Sequence, residues 1–71
     1  MPKPESTLTP RELEVLILIA RGQTSQRIGE TLGIAKRTAD EHAMSIIDKL
    51  GASNRTHAVA LAIGKHILTL D

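Results

Sequence analysis

Apolar residues recur along this chain at helical spacing, and glycines close the runs. Thr9-Pro10-Arg11-Glu12 reads as a capping box. The Thr9 hydroxyl can accept from the Glu12 N–H, the Glu12 carboxylate can reach back to the Thr9 N–H, and Pro10 suits the first helical position. From there to Arg21, Leu13, Leu16, Ile17 and Ala20 share one stripe. Val15, Leu18 and Ile19 widen it, which predicts a helix packed on two sides. Gly22 stands where a left-handed residue ends a helix. A second helix opens at Thr24 or Ser25, carries Ile28 and Leu32 on one face and stops at Gly33. At about two turns it depends on packing. The third runs from about Ala35 to Leu50, with Ala39, Ala43, Ile46 and Leu50 inward. Arg37, Glu41, Met44, Ser45 and Asp48 fall on its opposite face, and Gly51 closes it. The fourth is predicted from Asn54 to about Leu68, with one row of Val59, Ile63 and Ile67, one of Ala58 and Ala62, and one of Ala60, Gly64 and Leu68. No stretch alternates with a period of two, so no strand is expected. The fold class is therefore all-α, four helices with short turns. Residues 8–70 form one domain, and the polar, proline-bearing residues 1–7 read as a flexible arm or linker.

Composition narrows the chemistry. The chain has 71 residues, with no Cys, Trp, Tyr or Phe. That removes disulfides, thiol catalysis and Cys-based zinc sites, and argues against stacking single-stranded bases on aromatic rings. The longest apolar run, Val15 to Ala20, is far short of the ~20 residues of a membrane span. The first residues are too polar for a signal peptide, so a cytoplasmic protein is expected. His42, His57 and His66 are not at the i, i+4 spacing of a helical metal pair, and His42 is expected to be structural. No nucleophile elbow or phosphate loop is visible. Neither an enzyme nor a cofactor is expected. Nine basic residues face eight acidic ones, so the net charge of +1 does not itself point to nucleic acid.

The arrangement of Ser25 to His42 does point there. Two helices cross steeply and closely only if the first offers a small residue at the crossing, and Gly29 is placed to do so. Gly33 supplies the positive φ of a tight turn. Ile28, Leu32, Ile34 and Ala39 are the apolar residues that would join the pair. Small residue, turn glycine and apolar set stand in register, which is the layout of a helix-turn-helix. Lys36 and Arg37 stand at the start of the third helix, where N–H groups and dipole also favour phosphate.

In these residues the chain resembles the LuxR-type (LuxR/FixJ, GerE-like) DNA-binding domain of bacterial transcription regulators. The resemblance is carried by Leu8-Thr9-Pro10-Arg11-Glu12, Gly22, Ile28, Leu32-Gly33-Ile34, Arg37-Thr38, His42, Ile46, Lys49-Leu50-Gly51 and Asn54-Arg55-Thr56 with Ala58-Val59. It implies a winged-helix-like superfold without a wing, acting as the output domain of a response regulator or quorum-sensing regulator. The third helix would enter the major groove of double-stranded DNA. Carried over by position, Asp40, Glu41 and Met44 face bases. Thr24, Ser25, Gln26, Arg27, Lys36, Arg37, Thr38, Ser45 and Lys49 face phosphate. The fourth helix would pair two copies on DNA. Its apolar rows exceed what a small core covers, which independently marks Val59, Ile63 and Ile67 as a dimer surface.

The chain departs from that pattern at five positions. Ala35 stands where the family often has a Ser cap, and Ala39 replaces a larger apolar residue. Asp40 and Glu41 put acids where several members carry a base or a neutral side chain. His57 sits where an acid would complete a second capping box. From Thr24 to Leu50, four basic residues meet four acidic ones, so this surface has no excess positive charge. Base readout, solvent exposure and repulsion of off-target DNA all remain open for Asp40 and Glu41. A helical module that docks on RNA polymerase or a partner regulator, with little DNA contact, is the alternative. Regulators of this type usually carry a receiver or ligand-binding domain ahead of this one. The chain is therefore expected to be either an excised C-terminal piece or a small stand-alone regulator.

Overall fold

The computed structural model describes residues 7–69. Most of the expected arm, and Leu70 at the expected end of the domain, lie outside the described residues. Helix α1 spans Pro10–Ala20, α2 Ser25–Leu32, α3 Lys36–Leu50 and α4 Arg55–Gly64. No strand occurs among the described residues.

Local chemistry fixes where the helices begin. At α1 the Glu12 N–H donates to Thr9 Oγ1 at 3.1 Å, and the Thr9 N–H donates to Glu12 Oε1 at 2.9 Å. The Thr24 hydroxyl caps α2 by accepting from the Arg27 N–H, and Asn54 Oδ1 caps α4 by accepting from the His57 N–H. Helix α3 starts after Ala35 with no side-chain cap, as the missing serine implied. At α4 the His57 imidazole does part of an acid's work: its Nδ1 accepts from the Ser53 N–H at 2.9 Å.

Val15, Leu16, Ile28, Ile46 and Leu50 form the core with Ala39, Ala43, Ala58 and Ala62. The buried rows of α3 and α4 are mostly alanine, so a core without an aromatic ring closes by bringing backbones near each other. Two expectations change. The buried side of α1 is Glu12, Val15, Leu16 and Leu18. Leu13 and Ile17 are only half-buried and Ala20 is exposed. The α1 stripe is therefore turned toward α3, and its Leu13–Ile17 side borders a groove shared with Val59, Ile63, Ile67 and Leu68.

Helix α4 also stops four residues before the predicted end. The chain turns at Lys65 and His66, where His66 takes a φ of 61°. The Ile67 and Leu68 N–H groups then donate back to the Ala62 carbonyl at 2.8 and 3.2 Å. Had the helix continued, Leu68 would have followed Ala60 and Gly64 along a solvent-exposed row. The turn instead returns Leu68 to the core, at 9% exposure. Burying a leucine side chain is worth about 1.5–3 kcal/mol, enough to offset one left-handed residue.

Candidate nucleic-acid interface

The site is built on the crossing of α2 and α3. A Cβ on Gly29 would stand 2.6 Å from the Ile34 carbonyl oxygen and 3.3 Å from the Lys36 nitrogen, so here backbone touches backbone. The Ile34 N–H donates to the Gly29 carbonyl at 2.9 Å, and Gly33 makes the turn at a φ of 71°. Ile28 and Ala39 are buried, and Leu32 and Ile34 are half-buried against them. This packing holds α3 by one side and leaves Lys36, Arg37, Glu41 and Met44 exposed on the other. Met44 is 69% exposed, unusual for a large apolar side chain.

The expected phosphate residues divide. Thr24, Gln26 and Arg27 at the start of α2 are exposed, as are Lys36 and Arg37, and Thr38 is half-buried. Ser45 and Lys49 are engaged within the domain. The Ser45 hydroxyl donates to Glu12 Oε2 at 2.6 Å, and Lys49 Nζ donates to Glu12 Oε1 at 2.7 Å and to the Thr7 carbonyl at 3.3 Å. They lie one turn apart on the side of α3 that faces α1, and only 17% of the Lys49 side chain is exposed. Ser25 differs from its neighbours in burial. At 6% exposure it is buried under the crossing.

The Glu12 carboxylate at this seam is tuned by its partners. Burial pushes its pKa up, but hydrogen bonds from Lys49, Ser45 and the Thr9 N–H outweigh burial and hold it at about 2, against an ordinary 4.5. The unfolded chain therefore takes up the proton first. The seam's stability is complete above about pH 5 and drains as the pH falls toward 2. This shift corresponds to ~3 kcal/mol. Acid titration of the domain by circular dichroism should show the loss in that window, and Glu12→Gln should flatten it.

The expected base readers also divide. Glu41 and Met44 point outward, with 66% of the Glu41 side chain exposed. Asp40 does not. Its Oδ2 accepts from Lys36 Nζ at 3.1 Å and its Oδ1 from Arg55 Nη2 at 2.8 Å. The Ser25 hydroxyl stands beside the same carboxylate without closing a well-formed hydrogen bond. That hydroxyl first, then Lys36 and Arg55, holds the Asp40 carboxyl down to about 2. Arg55 is the residue that sequence reading missed. It lies on another helix, and no spacing rule links it to Asp40. The remaining cations of this face also have acids nearby, Arg27 with Glu30 at 3.7 Å and Arg37 with Glu41 at 3.8 Å.

A short helix crossing a longer one through a glycine contact, with the longer helix's polar face left open, defines a helix-turn-helix protein. Residues 6–62 match the luxR family of bacterial regulatory proteins, and the chain belongs to that family. It is 52% identical over 67 residues to the transcriptional activator protein BjaR1 of Bradyrhizobium diazoefficiens, covering 94% of this chain and 28% of that protein. Against the transcriptional regulatory protein LiaR of Bacillus subtilis it is 45% identical over 65 residues, 92% of this chain and 31% of that protein. Against the HTH-type quorum sensing-dependent transcriptional regulator RpaR of Rhodopseudomonas palustris it is 42% identical over 71 residues, 97% of this chain and 29% of that protein. The chain thus spans about three-tenths of the length of the curated relatives it matches. The family is one of DNA-binding, non-enzymatic transcription regulators. Among the described residues, no helix is long and apolar enough to cross a membrane.

Proposed function

We propose that this domain binds double-stranded DNA sequence-specifically, with α3 in the major groove and α2 across the backbone, as the output domain of a bacterial transcription regulator in the cytoplasm. The observation that carries the proposal is the Gly29–Ile34 backbone contact, which leaves the Lys36–Arg37–Glu41–Met44 face of α3 uncovered. Thr24, Gln26, Arg27, Lys36, Arg37 and Thr38 contact phosphate, and Glu41 and Met44 meet base edges. A carboxylate there accepts from cytosine N4, and an exposed methionine makes apolar contact with a thymine methyl. Two copies pair through Val59, Ile63 and Ile67, which border the groove beside α1. Their recognition helices then reach successive major grooves ~34–36 Å apart.

Fluorescence anisotropy against promoter DNA at two salt concentrations tests this reading, since phosphate contacts make affinity fall steeply with salt. Arg37→Ala should weaken binding to every sequence alike and lower the salt slope by about one. Glu41→Gln should change the preferred base at one position, by about 1–3 kcal/mol of discrimination. If both variants alter only overall affinity, Glu41 reads no base. One observation favours a second reading, docking on RNA polymerase or a partner regulator. Arg27, Lys36 and Arg37 each have a carboxylate within 4 Å, so little free positive charge faces outward. Absence of DNA binding at low salt, beside retained polymerase binding, would select it.

A further inference from the structure

The first residues of three helices, Ser25 of α2, Lys36 of α3 and Arg55 of α4, bring their side chains to one point. That point carries the Asp40 carboxylate. Two cations and a hydroxyl around one oxyanion form a phosphate-type site. One of these donors is only loosely engaged by its occupant. The Ser25 hydroxyl, on a residue only 6% exposed, stands beside the carboxylate without closing a well-formed hydrogen bond to it. The site is also open to exchange. The Asp40 and Arg55 side chains are each 36% exposed and that of Lys36 is 63% exposed, so solvent and a larger anion reach the pairs. Ion pairs this exposed are weakly held.

We propose that this cluster is a DNA-phosphate site which Asp40 fills in the free domain, so that Arg55 is a phosphate ligand and Asp40 an internal competitor rather than a base reader. The inference rests on the DNA-binding reading above and assigns a role to its surface charges. A backbone phosphate displaces the carboxylate, which swings out to water while Lys36 and Arg55 turn to the incoming oxygens. Every binding event then bears the cost of breaking two ion pairs. The cost lowers specific and nonspecific affinity by the same factor, so the exchange sets how tightly the domain binds and leaves the choice of sequence to the base contacts. Asp40 stays ionised throughout the neutral range, so DNA phosphate works the exchange and pH does not.

The test uses Asp40→Asn, Arg55→Gln and the double variant, with folding checked by circular dichroism. Affinity for a fluorescent random-sequence duplex is measured across a salt series. Asp40→Asn should tighten binding roughly tenfold at low salt and steepen the salt slope by about one. Adding Arg55→Gln should reverse both changes, while Arg55→Lys should retain part of the gain. Where Arg55→Gln loses helicity, the Arg55→Lys comparison carries the test. Unchanged or weaker binding by Asp40→Asn, or a gain that survives loss of Arg55, overturns the proposal. If the wild-type domain fails to bind any duplex at low salt, the DNA reading falls separately. Inorganic phosphate titrated into Asp40→Asn then decides the site: amide shifts confined to Ser25, Lys36 and Arg55 sustain it, and their absence overturns it.

Discussion

Glu12→Ala is expected to unfold most of the domain at room temperature. The Glu12 carboxylate accepts from the Thr9 N–H, the Ser45 hydroxyl and Lys49 Nζ, at 2.9, 2.6 and 2.7 Å. It therefore caps α1 and ties α1 to α3 at once. Its removal leaves the largely buried Lys49 ammonium with only the Thr7 carbonyl at 3.3 Å. Breaking a buried pair from one side costs about 3–5 kcal/mol, and a core of this size supplies little more. Urea unfolding should show the midpoint collapse. Glu12→Gln preserves the shape and some of the acceptors, so it should cost less. Arg11→Ala is the control, because the Arg11–Glu14 pair at 3.5 Å is exposed and such pairs are worth at most ~1 kcal/mol. If the two alanine variants shift the midpoint equally, the seam contributes nothing special.

Gly29→Ala is expected to cost more in DNA binding than in stability. Alanine is the better helix former by about 1 kcal/mol. Its Cβ, however, meets the Ile34 carbonyl oxygen at 2.6 Å, and no flexible side chain is there to yield. Overpacking of this kind costs about 1–3 kcal/mol, so the net loss of stability is modest. Relief comes by tilting α3 away from α2. The tilt displaces Lys36 and Arg37 from Thr24, Gln26 and Arg27 and spoils a surface whose members must meet one duplex together. A domain that keeps its helical circular dichroism while losing salt-dependent duplex binding is the expected result. Full binding by Gly29→Ala would mean that the close crossing does not set the recognition geometry.

The parts of the fold governed by neighbours in sequence were legible before any coordinates. Thr9 and Glu12 are three residues apart, so their reciprocal bonds follow from helix geometry alone. Thr24 and Asn54 cap, Ala35 does not, and Gly33 takes the left-handed turn, each for reasons local to the chain. The inward row Ala39, Ala43, Ile46 and Leu50 follows from the 3.6-residue period. Pairings with a distant partner were not legible in this way. Ser45 lies on the polar side of α3 by phase and Lys49 looked like a phosphate contact, yet both turn to Glu12 across the α1–α3 seam. Leu68 continues an apolar pattern at helical spacing, but the core rewards a chain reversal that brings it home.

The candidate site shows the same division. Gly29 and Gly33, with the apolar set around them, were enough to place a helix-turn-helix and to leave α3 exposed. The charges were not readable in the same way. Four bases against four acids said that the surface lacks excess charge, but not which acid sits on which base.

The sequence alone determined the four-helix plan, because caps, turn glycines and hydrophobic period act over three or four residues, and local sterics and hydrogen bonding decide them. Tertiary structure alone decided that Arg55 reaches Asp40 at 2.8 Å and that Glu12 gathers Ser45 and Lys49. Such pairings depend on where separate helices come to rest in three dimensions, and Coulomb attraction and desolvation follow distance in space, not separation along the chain.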